Sequence, residues 1–240
     1  MSCFVLVHGT GCGGWVWQRF SRLLRAKGHE VYSPTLTGLA DRRHLLNKGV
    51  NLTTHITDIT NLIFYEDLSQ VILVGNSYAG MVITGVAATI PERLKLLVYL
   101  DAYLPDDGQS EADLLPKGTW AARLAEAAEN GGVVQPPPPA IFGISDPALA
   151  GWVSERTTPH PISTYTEPVH TGVNASQPLP LVYIHCTGNP PSTPDLFASS
   201  AEKARRKGWP VIELNAGHLA MLSQPHLLAE TILSALESDI

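Results

Sequence analysis

The stretch "VILVGNSYAGMV", residues 71–82, decides the fold. Residues 71–75 are an almost unbroken run of β-formers, the pattern of a strand covered on both faces in a parallel sheet. The run enters a turn with Ser77 at its tip, and a helical pattern follows. Gly75 and Ser77 fit the G-x-S-x-G pattern of a serine lifted out of a sheet by a sharp strand–turn–helix. The fifth position is Ala79, one methyl larger than glycine, with Gly80 directly after it. Read alone, Ser77 would serve equally well as the N-cap of the following helix. A serine hydroxyl becomes a nucleophile only with a base in reach and a third group orienting that base. The rest of the chain is therefore read for those partners.

Working outward, apolar runs alternate with amphipathic stretches. Strands are predicted over 3–7, 29–34, 71–75 and 94–101. Between them the spacing predicts helices over 17–27, around Ile56–Ile63, and over 78–90, with Gly28 and Pro91 as stops. The alternation breaks at residue 102; residues 102–178 hold the proline run "QPPPPA" (135–140) and one predicted helix near 118–129. It resumes with strands at 181–186 and 210–214 and helices at 194–207 and 225–237. Strands alternating with helices imply an α/β fold with a mostly parallel central sheet flanked by helices and right-handed crossovers. The middle segment is too long for a connection. It reads as a lid, 105–178, inserted into a core made of 1–104 and 179–240.

Composition narrows the function. The 240 residues suit one large domain, and the net charge of −6 argues against nucleic acid and anionic membranes as partners. No apolar run is long enough to span a bilayer, and "CFVLV" begins with no basic leader before it, so no signal peptide is expected. Cys3, Cys12 and Cys186 are odd in number and far apart, which favours a reducing, cytoplasmic location over a disulfide framework. A monomer and a homodimer are both open.

In parallel α/β sheets, sites form at the carboxyl ends of strands. Four such ends carry chemistry here: "HGTGCGGW" (8–15), Ser77, Asp101, and "NAGHLAML" (215–222) with His218. Ser77, Asp101 and His218 stand in the serine–acid–histidine order of hydrolases built on such sheets. Two N–H groups would receive the oxyanion: Tyr78 at the helix start and Thr10 in the glycine loop. His8 reads as support for that loop. Gly9, Trp120, Phe142, Trp152 and Leu219 are expected to line an apolar substrate pocket, with packing of the lid as the other reading of the three aromatics. The remaining histidines show no metal-ligand spacing, and the glycine loop lacks the G-x-x-x-x-G-K-[ST] pattern of nucleotide sites. No metal or organic cofactor is expected.

The segments "FVLVHGTGCGGWVW", "VILVGNSYAGMVI", "LVYLDAYLPDDGQS" and "ELNAGHLAMLSQP" together resemble the α/β-hydrolase superfamily. Within it they are similar to the branch of plant methyl-ester esterases, hydroxynitrile lyases and small bacterial esterases. The resemblance implies a serine hydrolase cleaving a small, largely apolar carboxylic ester or lactone without a cofactor. Many relatives carry the acid after the strand corresponding to "LVYIHCTGN", where this chain has Gly188 and Asn189. Asp101 is therefore expected as the acid, with Asn189 as the alternative position. The lyases of the branch carry threonine and lysine where this chain has Gly9 and Leu219, so cyanohydrin cleavage is not expected. Two other readings stay open: a non-hydrolytic member (decarboxylase, cyclase or lyase on a carbonyl compound) and a small-molecule receptor.

Overall fold

A computed structural model describes residues 1–171, 179–190 and 195–237 of the chain. The amino half lays down β1 (Cys3–Val7), α1 (Gln18–Ala26), β2 (Glu30–Tyr32), α2 (Leu52–Tyr65), β3 (Val71–Ser77), α3 (Ala79–Thr89) and β4 (Leu94–Ala102). The insertion follows, with α4 (Glu111–Leu114), α5 (Lys117–Glu129), β5 (Val133–Val134), α6 (Pro147–Ser154), β6 (His160–Pro161) and α7 (Ser163–Thr166). The chain then completes its core with β7 (Leu181–Cys186), α8 (Ala198–Arg206), β8 (Val211–Leu214), α9 (Ala220–Ser223) and α10 (Pro225–Glu237).

The six long strands form one sheet in the order β2-β1-β3-β4-β7-β8, and every pairing in it is parallel. The expected mostly parallel sheet is thus parallel throughout its described strands. β3 and β4 lie at its centre and are buried almost from end to end, which is why their sequences read as continuous apolar runs. Each sheet face buries its own layer. Val5, Leu73, Ile59, Ile63 and Ile83 pack under α2 and α3. Phe4, Leu6, Val74, Phe20, Leu24 and Ile232 pack under α1 and α10. A capping box fixes the start of α2, with Asn51 accepting from the Thr54 N–H.

Differences from the expected elements are local. α8 starts at Ala198, not 194, because the Asp195 carboxylate accepts the N–H groups of Phe197 and Ala198 and sets the first turn there. Residue 194 and the last part of the expected lid, 172–178, lie outside the described residues. Within the insertion, α4, α6 and α7 and the antiparallel β5–β6 pair were not expected. The insertion meets the core at the carboxyl ends of the strands, since the cavity there is walled by Ser77 and His218 together with Glu111, Arg123 and Ile141.

The turn after Ser77 depends on Gly80. A Cβ at Gly80 would lie 2.0 Å from the carbonyl oxygen of Tyr103, so α3 seats directly on the backbone that follows β4. Gly118, in α5, has nothing within 4 Å of a built Cβ. Gly80→Ala is expected to cost about 3 kcal/mol and lower the melting temperature by roughly 6–12 °C. Gly118→Ala is expected to leave it level or raise it slightly. Thermal denaturation of the two variants checks the contrast.

Candidate active site

Ser77 ends β3 with φ of +60°, a left-handed conformation that costs a non-glycine residue about 1–3 kcal/mol. The strain is held by neighbours: the register between β3 and β4 shifts at Asn76/Ser77, and the Tyr103 N–H donates to the Ser77 carbonyl at 3.1 Å. Gly9 faces it from the end of β1. A Cβ there would meet the Ser77 Cβ at 2.7 Å and its Oγ at 3.3 Å, so only glycine leaves the hydroxyl room.

Asp101 also stands at a strand end with positive φ, +44°, and is 1 % exposed. Its Oδ1 accepts the Cys186 N–H at 3.1 Å, and its Oδ2 lies 2.6 Å from His218 Nδ1. The adjoining backbone is gripped by the Tyr183 hydroxyl, which donates to the Ala102 carbonyl and accepts the Ala102 N–H. A carboxylate can only accept, so Nδ1 carries the proton and Nε2 keeps the lone pair. His218 is buried between two aromatic faces, with ring centroids 4.8 Å from Phe197 and 5.7 Å from Phe142. Two asparagines hold its backbone. Asn189 Oδ1 accepts the His218 N–H, and Asn76 Nδ2 donates to the His218 carbonyl. Asn189, the alternative acid position, therefore holds the main chain of His218 and not its ring.

Ser77, Asp101 and His218 line one cavity of about 210 Å³. Among the described residues no hydrogen bond joins the Ser77 hydroxyl to His218, whose side chain bonds to Asp101. Thr10 is in the wall, and its Oγ1 accepts the Tyr165 hydroxyl at 3.3 Å. Tyr78 precedes the first turn of α3, where backbone N–H groups have no intrahelical acceptor.

The five residues expected around the pocket separate. Phe142 lines the cavity and stacks on His218. Gly9 abuts Ser77 from the loop, and Leu219 is buried in the core beneath α1 and α10. Neither lines the cavity. Trp152 packs edge-on against Trp15, with Arg156 over its face, and Trp120 packs on the α2–α3 side of the core. Both tryptophans pin the insertion down, away from the cavity. Sequence reading missed Phe197, Tyr103, Glu111 and Arg123, which line the cavity together with Ile141, Leu196 and Asp195 among others. A wider groove of about 730 Å³ beside α5, lined by Leu46, Leu124 and Ile162, holds none of the expected residues. Among the described residues no group of three His, Cys, Asp or Glu could hold a metal ion.

Beneath the glycine loop lie three buried histidines. His8 Nδ1–H donates to the Gly9 carbonyl, and its Nε2 accepts the Leu36 N–H. His55 Nε2–H donates to the Thr37 carbonyl, while its Nδ1 accepts the Tyr78 hydroxyl. His160 Nδ1 accepts the Gly11 N–H, and its Nε2–H donates to Thr164. Burial pushes His8 and His55 down to about 4 and His160 well below the ordinary histidine value. All three act as neutral hydrogen-bonding spacers that fix Gly9, Gly11 and Tyr78.

Comparison with known proteins adds to this geometry. The model of the "Alpha/beta hydrolase family" matches residues 4–231. A carbendazim hydrolyzing esterase of Nocardioides sp. (strain SG-4G) is 39 % identical over 244 residues, covering 97 % of this chain and 98 % of that protein. Methylesterase 1 of Arabidopsis thaliana is 31 % identical over 125 residues, covering 48 % of this chain and 44 % of that protein. A solved extracellular alpha/beta-hydrolase from a Paenibacillus species, described as sharing structural and functional homology with tobacco salicylic acid binding protein 2, matches with a TM-score of 0.86 and 26 % identity. The match covers 98 % of this chain and 99 % of that one.

The neutral histidines make stability pH-dependent. Their folded values lie below the unfolded one near 6.5, so as pH falls the unfolded chain takes up protons first. Stability contributed by each is full above about 6.5 and declines by about 1.4 kcal/mol per pH unit down to about 4. Urea denaturation at pH 7, 6 and 5 is expected to show this decline. His55→Gln should flatten the slope by about one proton's worth. A stability unchanged between pH 6.5 and 5 would refute the neutral-histidine assignment.

Proposed function

Because the chain belongs to the alpha/beta hydrolase family, as an esterase-type member, we propose that it cleaves a small, largely apolar carboxylic ester or lactone through Ser77, His218 and Asp101. The observation that carries the reading is the 2.6 Å Asp101–His218 contact, which leaves a basic Nε2 on a ring that shares a buried cavity with a strained, turn-borne serine. His218 Nε2 would take the Ser77 proton as Oγ attacks the substrate carbonyl. Asp101 would keep the ring in the required tautomer and stabilise the imidazolium. The N–H groups of Thr10 and Tyr78 would receive the oxyanion, held in place by Tyr165 and by the neutral histidines below. The imidazolium then protonates the leaving alkoxide, and a water deprotonated by Nε2 releases the acyl group.

The cavity's size and its Phe142, Phe197, Leu196 and Ile141 walls support a compact, mainly apolar ligand. Carbendazim, which the Nocardioides relative hydrolyses by its name, is a rational substrate to assay beside simple esters. Three free cysteines, Cys3, Cys12 and Cys186, support a reducing compartment, and we place the protein in the cytoplasm on that ground. No helix among the described residues is long and apolar enough to cross a membrane.

Hydrolysis of p-nitrophenyl butyrate and covalent labelling by a fluorophosphonate test the reading together. Ser77→Ala is expected to abolish labelling and to cut turnover by about 10⁴-fold or more, and Asp101→Asn to cut it by about 10³–10⁴-fold. Asn189→Ala should cost less than about tenfold, since it touches only the backbone of His218. Near wild-type turnover in Asp101→Asn with loss in Asn189→Ala would reverse the assignment of the acid.

A further inference from the structure

One carboxyl oxygen in the cavity wall has no hydrogen-bond partner among the described residues. Glu111, the first residue of α4, lines the cavity that holds Ser77, is 1 % exposed, and has its Oε2 buried without a hydrogen bond. Arg123 lines the same cavity but is engaged elsewhere: its Nη1 donates to the Tyr165 hydroxyl at 2.9 Å, and its guanidinium carbon lies 5.1 Å from the Tyr165 ring centroid. A buried polar atom left unpaired opposes folding, so such a group is retained where something else completes it. Burial pushes the Glu111 carboxyl up to about 8, against the pull of Arg123. The Tyr78, Tyr103 and Tyr165 hydroxyls nearby are themselves pushed up by burial and stay neutral. At neutral pH Glu111 thus offers an O–H donor beside a carbonyl acceptor.

We propose that Glu111 is a specificity-determining residue whose carboxyl binds, through paired hydrogen bonds, a neutral substrate group presenting an N–H beside a C=O, such as a primary amide or lactam edge. The other two acids in the wall are already engaged, Asp101 by the Cys186 N–H and His218 and Asp195 by His185 and the N–H groups of Phe197 and Ala198, so among the carboxyl groups Glu111 is left to orient a ligand against the Phe142, Leu196 and Phe197 side. An analogue lacking the N–H leaves Glu111 unpaired and is rejected for that reason. The binding claim stands on Glu111 alone; its use in selecting esters rests on the Ser77 reading above.

Benzamide and acetophenone differ only by NH₂ in place of CH₃, and calorimetric titration of the intact protein with each tests the binding. Wild type is expected to prefer benzamide by at least ~10-fold. Glu111→Gln, which still offers a donor beside an acceptor, should hold the preference within about threefold, and Glu111→Leu should erase it. The ratio of kcat/KM for methyl succinamate over methyl 4-oxopentanoate, the same NH₂/CH₃ exchange on an ester, should follow the same order, with the change in KM. If Glu111→Leu does not fold, Glu111→Asp, which withdraws the carboxyl by one methylene, replaces it. Equal binding of the two ligands by wild type, or an unchanged preference in a folded Glu111→Leu, overturns the proposal. A benzamide preference with no ester cleavage and no labelling of Ser77 would refute the triad and leave Glu111 standing.

Discussion

The hydrogen bond between His218 and Asp101 closes a loop of 117 residues, and the rest of the site is arranged so that it can be short. Neither partner could hold its position alone. Asp101 is locked by a left-handed backbone, by the Cys186 N–H on one oxygen, and by the Tyr183 grip on the next residue. His218 is clamped between Phe142 and Phe197 and tethered at its N–H and carbonyl by Asn189 and Asn76. These restraints come from β3, β4, β7, the insertion and the start of α8, so the contact forms only when the whole carboxyl edge of the sheet is assembled. Removing water from it strengthens the charge–imidazole interaction, which is also why each flanking polar group must have its own partner.

The same edge concentrates backbone strain. Ser77 and Asp101 are both non-glycine residues at positive φ, at the ends of adjacent central strands. Their strain is retained because the surroundings over-determine it: Tyr103 N–H on the Ser77 carbonyl, the register shift between β3 and β4, and the close seat of Gly80 on Tyr103. Glycine is spent where two backbones or a backbone and a hydroxyl nearly touch. The layer beneath is the reverse, with neutral histidines and tyrosines used as rigid hydrogen-bonding spacers for the glycine loop.

How much of this the sequence disclosed follows from what sequence patterns encode. The central strands and long helices carry full hydrophobic periods, so their spans agree with the structure to within a few residues at each end. Helices of four residues, such as α4, α7 and α9, are too short to show a period. That Ser77, Asp101 and His218 share one cavity was legible because the first two close strands and the third follows one by four residues, each with small or turn-forming neighbours. The wall was not. Trp120 and Trp152 are large aromatics in the insertion, but amino-acid type does not say which face of the insertion they occupy. Glu111 sits among Asp106, Asp107 and Asp113 in a stretch that reads as solvated loop, and only the three-dimensional cover of the insertion buries it. Phe197 is hidden for a similar reason: it lies just before α8, outside any apolar run.

That contrast has a physical basis that bears on how such sites diversify. The geometry of the carboxyl edge is specified by local constraints, since a strained turn, a glycine that yields space and a strand end are each written in a few consecutive residues. The wall is specified by what the insertion brings over that edge, through contacts between segments far apart in the chain. Glu111 and Arg123 come from α4 and α5, Phe142 from the turn before α6, and Phe197 from beyond β7, and they meet only at the cavity. A substitution at Gly9, Gly80 or Asn76 reaches the strained backbone directly, whereas one at Glu111 or Arg123 reaches only the wall above it. Glu111 illustrates that division: its burial comes from the cover of the insertion and not from any strand end.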